Sequence, residues 1–221
     1  MGRVLAVTDI HGNWRGLKEV LGSEDYDALF VAGDLSDYSG SADKVVDVLI
    51  KHSKSRAYVV IGNMDSPKLI DDLRRYEEVT VLHGNASKFL NYVVVGFSGG
   101  LISPFNTAFE LDEDSFKELA ANAAKSITEV DHGGMLLITH TPPYNTKVDL
   151  TYSGMHVGSK VIREFIEGCR PLITICGHIH EGRGYDYVGR TLVINPGPLL
   201  RGFYALIEID GEIKFELRGL K

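Results

Sequence analysis

The chain has 221 residues, 44% apolar and 24% charged, enough for one sizeable core in a single domain over 1–221. Its formal net charge of −7 argues against a general binder of nucleic acid or anionic membranes, which needs a basic surface. No run reaches the roughly 18 apolar residues of a membrane span, and no cleavable leader is visible, so a cytoplasmic location is expected. The cysteines, Cys169 and Cys176, show no CxxC spacing and sit in or beside apolar runs, which reads as reduced, structural thiols.

Residues 4–7 form a β-branched run that stops at Thr8-Asp9-Ile10-His11-Gly12-Asn13. Short, wholly apolar runs closed by turn residues suit central strands covered on both faces. A helix is expected over about 14–21, with Asn13 as N-cap. Residues 28–32 are a second such strand, stopping at Gly33-Asp34-Leu35-Ser36-Asp37. Ser41 opens a helix to about Lys51, with Val45, Val46, Leu49 and Ile50 on one stripe. The third strand, 57–61, stops at Gly62-Asn63-Met64-Asp65, and Ser66-Pro67 begins a helix through about Tyr76. Residues 79–82 and 92–96 read as strands and 101–111 as a loop. The longest helical pattern is 112–131, with Phe116, Leu119, Ala120, Ala123, Ile127 and Val130 at helical spacing.

Residues 135–138 are another buried strand, ending at Thr139-His140. The polar segment 144–158 has no periodicity, and 159–166 is a short amphipathic helix closed by Gly168. The apolar run 172–175 leads into Cys176-Gly177-His178-Ile179-His180. Residues 191–194 form a further strand before a terminal hairpin, 203–209 with 212–217, turned by Asp210-Gly211. Strands alternating with helices, then a strand-rich end, predict an α/β protein of two mixed sheets with helices outside.

Five of these strands end in similar chemistry: Asp9 with His11, then Asp34, Asn63, His140, and His178 with His180. In extended backbone residues i and i+2 project to one side, so His178 and His180 converge. Gly33, Gly62 and Gly177 precede three of these positions and permit sharp turns and close backbone approach. Taken singly, each has an ordinary reading as a turn or a loop histidine. Together, two carboxylates, one amide oxygen and four imidazoles exceed what one tetrahedral zinc takes. They suit two octahedral-leaning divalent ions sharing a carboxylate, the arrangement that polarises a phosphoryl group. No Ser-His-Asp or Cys nucleophile arrangement competes.

The ordered series Asp9-x-His11, Gly33-Asp34, Gly62-Asn63, His140 and Gly177-His178-x-His180 resembles the motifs of the calcineurin-like metallophosphoesterase family, over residues 4–195. The resemblance implies a four-layer α/β/β/α sandwich of two mixed β-sheets flanked by helices. It implies a dinuclear site, with Asp9, His11 and His180 on one metal, Asn63, His140 and His178 on the other, and Asp34 bridging. The cofactors implied are two divalent transition-metal ions, Mn²⁺ foremost, with Fe, Zn²⁺, Ni²⁺ or Co²⁺ as alternatives. The activity implied is hydrolysis of a small phosphorylated substrate, a phosphodiester or phosphomonoester, by a metal-bridging hydroxide.

One departure matters. Many members carry a His after Gly-Asn that donates a proton to the leaving group; here Met64 stands in its place and cannot. Small prokaryotic phosphodiesterases of the family also lack it, so the reading tilts to phosphodiesterase. Asp34 and Asn63 are then catalytic candidates with His156, in the segment 154–159, as a replacement proton donor; a solvent-exposed loop histidine is the competing reading. His52, His83 and His132 read as surface residues. Asp37 is read as a support for Asp34 or a turn residue, and Asp65 as an orienter of the Asn63 loop or a cap. Asn13, Gly99 and Gly100 resemble substrate-side positions, and Tyr38, Tyr144 and Tyr152 are loop aromatics for stacking or packing. A nuclease remains an alternative, opposed by 23 Lys+Arg against 30 Asp+Glu. A non-catalytic module of the same fold is another, opposed by the filled ligand positions. Oligomeric state and substrate identity are left open.

Overall fold

In the computed structural model, which describes residues 2–220, the short apolar runs are strands that divide their side chains between two cores. Met1 and Lys221, part of the expected 1–221 domain, lie outside the described residues. The first half holds β1 (Gly2–Val7), α1 (Trp14–Ser23), β2 (Ala28–Ala32), α2 (Asp43–His52), β3 (Ala57–Val60), α3 (Leu69–Leu73) and β4 (Val79–Val81). The second begins with β5 (Asn85–Phe89), β6 (Tyr92–Phe97), the short pair β7 (Gly100–Leu101) and β8 (Glu110–Leu111), and α4 (Glu113–Thr128). It continues with β9 (Met135–Thr139), α5 (Lys160–Cys169), β10 (Ile173–Ile175), β11 (Gly184–Val188), β12 (Thr191–Asn195), β13 (Phe203–Asp210) and β14 (Glu212–Gly219).

Two six-stranded mixed sheets result, ordered β14-β13-β1-β2-β3-β4 and β11-β12-β10-β9-β6-β5. Strands β1 to β4 run parallel, β13 runs antiparallel to β1, and β14 antiparallel to β13 at the edge; β12, β10, β9 and β6 run parallel between antiparallel edges β11 and β5. Alternation along each strand explains why whole runs are apolar. In β1, Val4 and Ala6 face the space between the sheets while Leu5 and Val7 face the helices. In β9, Leu136 and Ile138 lie between the sheets while Met135 and Leu137 pack under α4 and α5. The expected four layers are therefore present, helices–sheet–sheet–helices. Phe30, Tyr58 and Phe89 meet edge to face between the sheets, with centroids 5.5–6.1 Å apart.

Register makes the site. Val31 pairs with both Val7 and Val59, and Ile175 with both Ile138 and Ile194, so the carboxyl ends of the parallel strands finish level. Ligand sites in α/β sheets form at such ends.

Several local expectations change. Strands β5 and β11 are absent from the sequence reading; both are sheet edges with one solvated face, so they carry few apolar residues to announce them. The expected loop 101–111 contains the β7–β8 pair. Helix α2 starts at Asp43, two residues after Ser41. Helix α3 is five residues long, because the carbonyls of residues 66–68 ahead of it accept tighter i→i+3 bonds. Gly168 lies inside α5, and Arg170, with φ 52°, takes the left-handed position that closes the helix. His83 is half-buried against Phe109, where burial pushes its pKa down, and His132 is also half-buried; neither is a plain surface residue. Both cysteines are free, Cys176 buried as expected and Cys169 exposed. Among the described residues no helix is long and apolar enough to cross a membrane.

Candidate metal centre

The residues gathered by the level strand ends fall into two facing groups. Asp9, His11 and His180 form the first: the Nε2 atoms of His11 and His180 are 3.2 Å apart, and Asp9 Oδ1 lies 3.4 Å from His180 Nε2 and 3.9 Å from His11 Nε2. In the second, His140 Nε2 stands 2.9 Å from Asn63 Oδ1 and 3.5 Å from Asp34 Oδ1. Asp34 joins the groups, its Oδ2 lying 3.7 Å from His11 Nε2. His178 places its ring beside that of His140, centroids 5.0 Å apart, and its backbone N–H donates to both carboxylate oxygens of Asp9. Among the His, Cys, Asp and Glu side chains of the described residues, the sets close enough to share a cation are Asp9–His11–His180 and Asp9–Asp34–His140; the His178 ring joins neither.

Backbone geometry at the site is unusual. Asp9, His11, Asp34 and His178 have φ of 49°, 44°, 53° and 68°. A left-handed conformation in a non-glycine residue costs on the order of 1–3 kcal/mol and concentrates at functional sites. The strained turns are tied together by Asp9 N–H to Gly33 O at 3.0 Å and His11 N–H to Asp34 O at 2.9 Å. Gly177 allows a further close approach: a side-chain carbon there would collide with Thr8 Oγ1 and lie 2.7 Å from Asp9 Oδ2.

The donor arrangement itself fits cations. Ala32 O can only accept, so His140 Nδ1, 2.8 Å away, carries a hydrogen and Nε2 points inward. Around Nε2 stand two further acceptors, Asn63 Oδ1 and Asp34 Oδ1. In the metal-free chain a proton must sit among them. Burial alone would lower the His140 pKa, but the Asp34 charge and hydrogen bond overcome it and lift it to about 9. Burial likewise pushes Asp34 up, and the His140 charge outweighs it, holding Asp34 well below the usual carboxylate range. Burial and the neighbouring His140 charge push His178 down to about 4. A cation in the proton's place would be held by His140, Asn63 and Asp34.

Further contacts hold the site, and sequence reasoning passed over three of the residues that make them: Thr8, Thr107 and Asp149. Thr8 Oγ1 donates to Asp9 Oδ2 at 2.8 Å, and Met64 N–H to Asp34 Oδ1 at 2.9 Å. Thr107 Oγ1 accepts from Asn63 Nδ2 at 3.0 Å. Buried Asp65 accepts N–H groups of Leu35, Ser36 and Gly62, which ties the Asp34 turn to the Asn63 turn. Asp37 makes a turn with Ser39 and Ser41. Asn13 is occupied by capping α1 and by donating to Leu199 O. Gly100 lies against the Asn63 side chain. His156 sits in the 144–158 segment with Nδ1 2.8 Å from the fully buried Asp149 carboxylate, a partner no sequence pattern advertised.

The rim is apolar. Tyr38 stacks parallel on His11 at 5.5 Å. Ile102 and Phe105 stand on the segment that Thr107 ties to Asn63, and Tyr152 and Met155 on the one that Tyr152 N–H ties to Glu181, beside His180. These five are the most exposed large apolar side chains among the described residues.

Residues 2–182 match the model of the calcineurin-like phosphoesterases, and the chain belongs to that family. An uncharacterised protein of Methanocaldococcus jannaschii is 33% identical over 202 residues, covering 89% of this chain and 88% of its own. The protein TT1561 of Thermus thermophilus shares the fold with a TM-score of 0.79 at 18% identity, covering 99% of this chain and 98% of its own. A second crystal structure gives 0.80 at 23% identity, with both chains fully covered.

Proposed function

We propose that the protein is a metal-dependent phosphodiesterase. Asp9, His11 and His180 would hold one divalent cation, Asn63, His140 and His178 a second, and Asp34 both. The observation that carries this reading is the convergence of donor atoms at the strand ends, with Asn63 Oδ1 and Asp34 Oδ1 at 2.9 and 3.5 Å from His140 Nε2 and Asp9 Oδ1 at 3.4 Å from His180 Nε2. Mixed imidazole and oxygen donors suit divalent transition-metal ions in general, and Mn²⁺ is the first candidate, with Fe, Zn²⁺, Ni²⁺ or Co²⁺ as alternatives. Once bound, such a pair polarises phosphoryl oxygens and makes water nucleophilic near neutral pH.

The chain's own groups then position and move protons. Ala32 O keeps the lone pair of His140 inward, while Thr8 and the His178 N–H hold the Asp9 carboxylate. With Met64 unable to donate, leaving-group protonation falls to His156. Asp149 holds its Nδ1, which leaves Nε2 free to exchange a proton. Tyr38 stacked on His11, with the exposed Ile102, Phe105, Tyr152 and Met155 on the tethered segments, supports an ester with an aromatic or aliphatic substituent, hence a diester before a small monoester. The net charge of −7 weighs against a nuclease.

Metal analysis together with hydrolysis of an aryl phosphodiester and its matched monoester under added Mn²⁺ tests the reading. Two bound ions and faster diester turnover are expected. Two ions without turnover would favour the non-catalytic module, and no metal uptake would end the proposal.

A further inference from the structure

We propose that Thr107 and Glu110 are positioning residues that select which end of the Asn63 amide faces His140. This rests on the reading of Asn63 as a metal ligand. Asn63 differs from the other six candidates in having two near-identical ends, an oxygen that binds a cation and an NH₂ group that repels one. A half-turn of the amide exchanges them at no steric cost, so something must choose.

A chain of hydrogen bonds makes the choice. Asn63 Nδ2 is 3.0 Å from Thr107 Oγ1, which is 2.7 Å from Glu110 Oε1. A carboxylate has no hydrogen to give, so the Thr107 hydroxyl hydrogen is committed to Glu110. Only a lone pair remains towards Asn63, and a lone pair accepts NH₂ but not the carbonyl oxygen. The amide nitrogen is therefore held outward and Oδ1 faces His140 Nε2 at 2.9 Å.

Glu110 is itself fixed by Ser103 Oγ at 2.6 Å, Ser103 N–H at 3.2 Å and Thr107 N–H at 3.0 Å. Desolvation raises its pKa, but these donors outweigh it and bring it to about 2, so the carboxylate is ionised throughout the neutral range. The backbone brings the relay into place: Phe109 N–H donates to Asn63 O at 2.9 Å, and Gly100 N–H to Phe109 O at 3.1 Å.

The test is Mn²⁺ titration of metal-free protein, followed by calorimetry and by paramagnetic resonance of the bound ion. Thr107→Val keeps the shape and removes the hydroxyl; Thr107→Ser keeps the hydroxyl. Wild type is expected to bind two ions. In Thr107→Val one site should weaken by about 10-fold or more, the usual range for losing a partner behind a ligand, while the other is unchanged. Thr107→Ser should restore it, and Glu110→Gln, which frees the hydroxyl hydrogen, should weaken the same site. The unfolding temperature of each metal-free variant controls for folding. Wild-type affinity at both sites in Thr107→Val, equal weakening of both, or no rescue by Thr107→Ser overturns the relay alone. A wild-type protein that binds no Mn²⁺ overturns the metal-centre reading beneath it.

Discussion

The α-carbon of Gly62 lies against Asp34 so closely that a side-chain carbon at position 62 would collide with Asp34 Oδ1 and stand 2.5 Å from its backbone nitrogen. Gly62→Ala should therefore push Asp34 out of place. Because Asp34 faces both His140 and His11, both groups should suffer together. We expect loss of metal stoichiometry at both sites and destabilisation of about 1–3 kcal/mol. Metal analysis beside thermal unfolding checks this, and a variant that retains both ions at full affinity contradicts it.

The metal-free protein should be most stable near pH 6.5. His140 is raised from 6.5 to about 9, so its stabilisation is complete below 6.5 and is lost as pH climbs towards 9. His178 is lowered from 6.5 to about 4, so the folded chain refuses a proton that the unfolded chain takes, and stability is lost as pH falls from 6.5 towards 4. Unfolding temperature against pH in the presence of a chelator should peak between these flanks. With saturating Mn²⁺ the alkaline flank should flatten, because the ion replaces the His140 proton. A monotonic rise from pH 5 to 9 without metal would refute the assignment.

Leaving-group chemistry separates His156 from a bystander. His156→Ala should lower turnover of an alkyl phosphodiester by roughly 10²–10⁴-fold, the usual contribution of a general acid. A p-nitrophenyl ester, whose leaving group needs no proton, should change only a few-fold. Asp149→Asn, which weakens the hold on Nδ1, should follow the same pattern more mildly. Equal losses on both esters would remove His156 from the mechanism.

The inter-sheet layer should be the mechanical base of the site. Phe30 is fully buried there against Tyr58 and Phe89. Phe30→Ala should cost about 3–5 kcal/mol by denaturant unfolding, through lost transfer and a residual cavity. A loss below about 1 kcal/mol would mean that the sheets close over the gap.

How much of this was legible in the sequence follows from where each signal resides. An apolar run ending in Asp, Asn or His is a local pattern, so the strands β1, β2, β3, β9 and β10 and the seven candidate ligands behind them were readable along the chain. Edge strands such as β5 and β11 bury one face only and give no such run. The end of α5 falls later than its glycine suggests because Arg170, rather than Gly168, takes the left-handed position.

By itself, then, the sequence determined the layered α/β architecture and the residue types that meet at the strand ends, since burial on two faces demands continuous apolar runs and chemistry collects where they stop. Only the tertiary structure decided how those residues are held. Asn63 meets Thr107 from 44 positions away, and the left-handed turns at Asp9, His11, Asp34 and His178 are held by hydrogen bonds between the turns that follow separate strands. Orientation and strain of this kind depend on contacts between distant segments, and no local pattern of residue types encodes them.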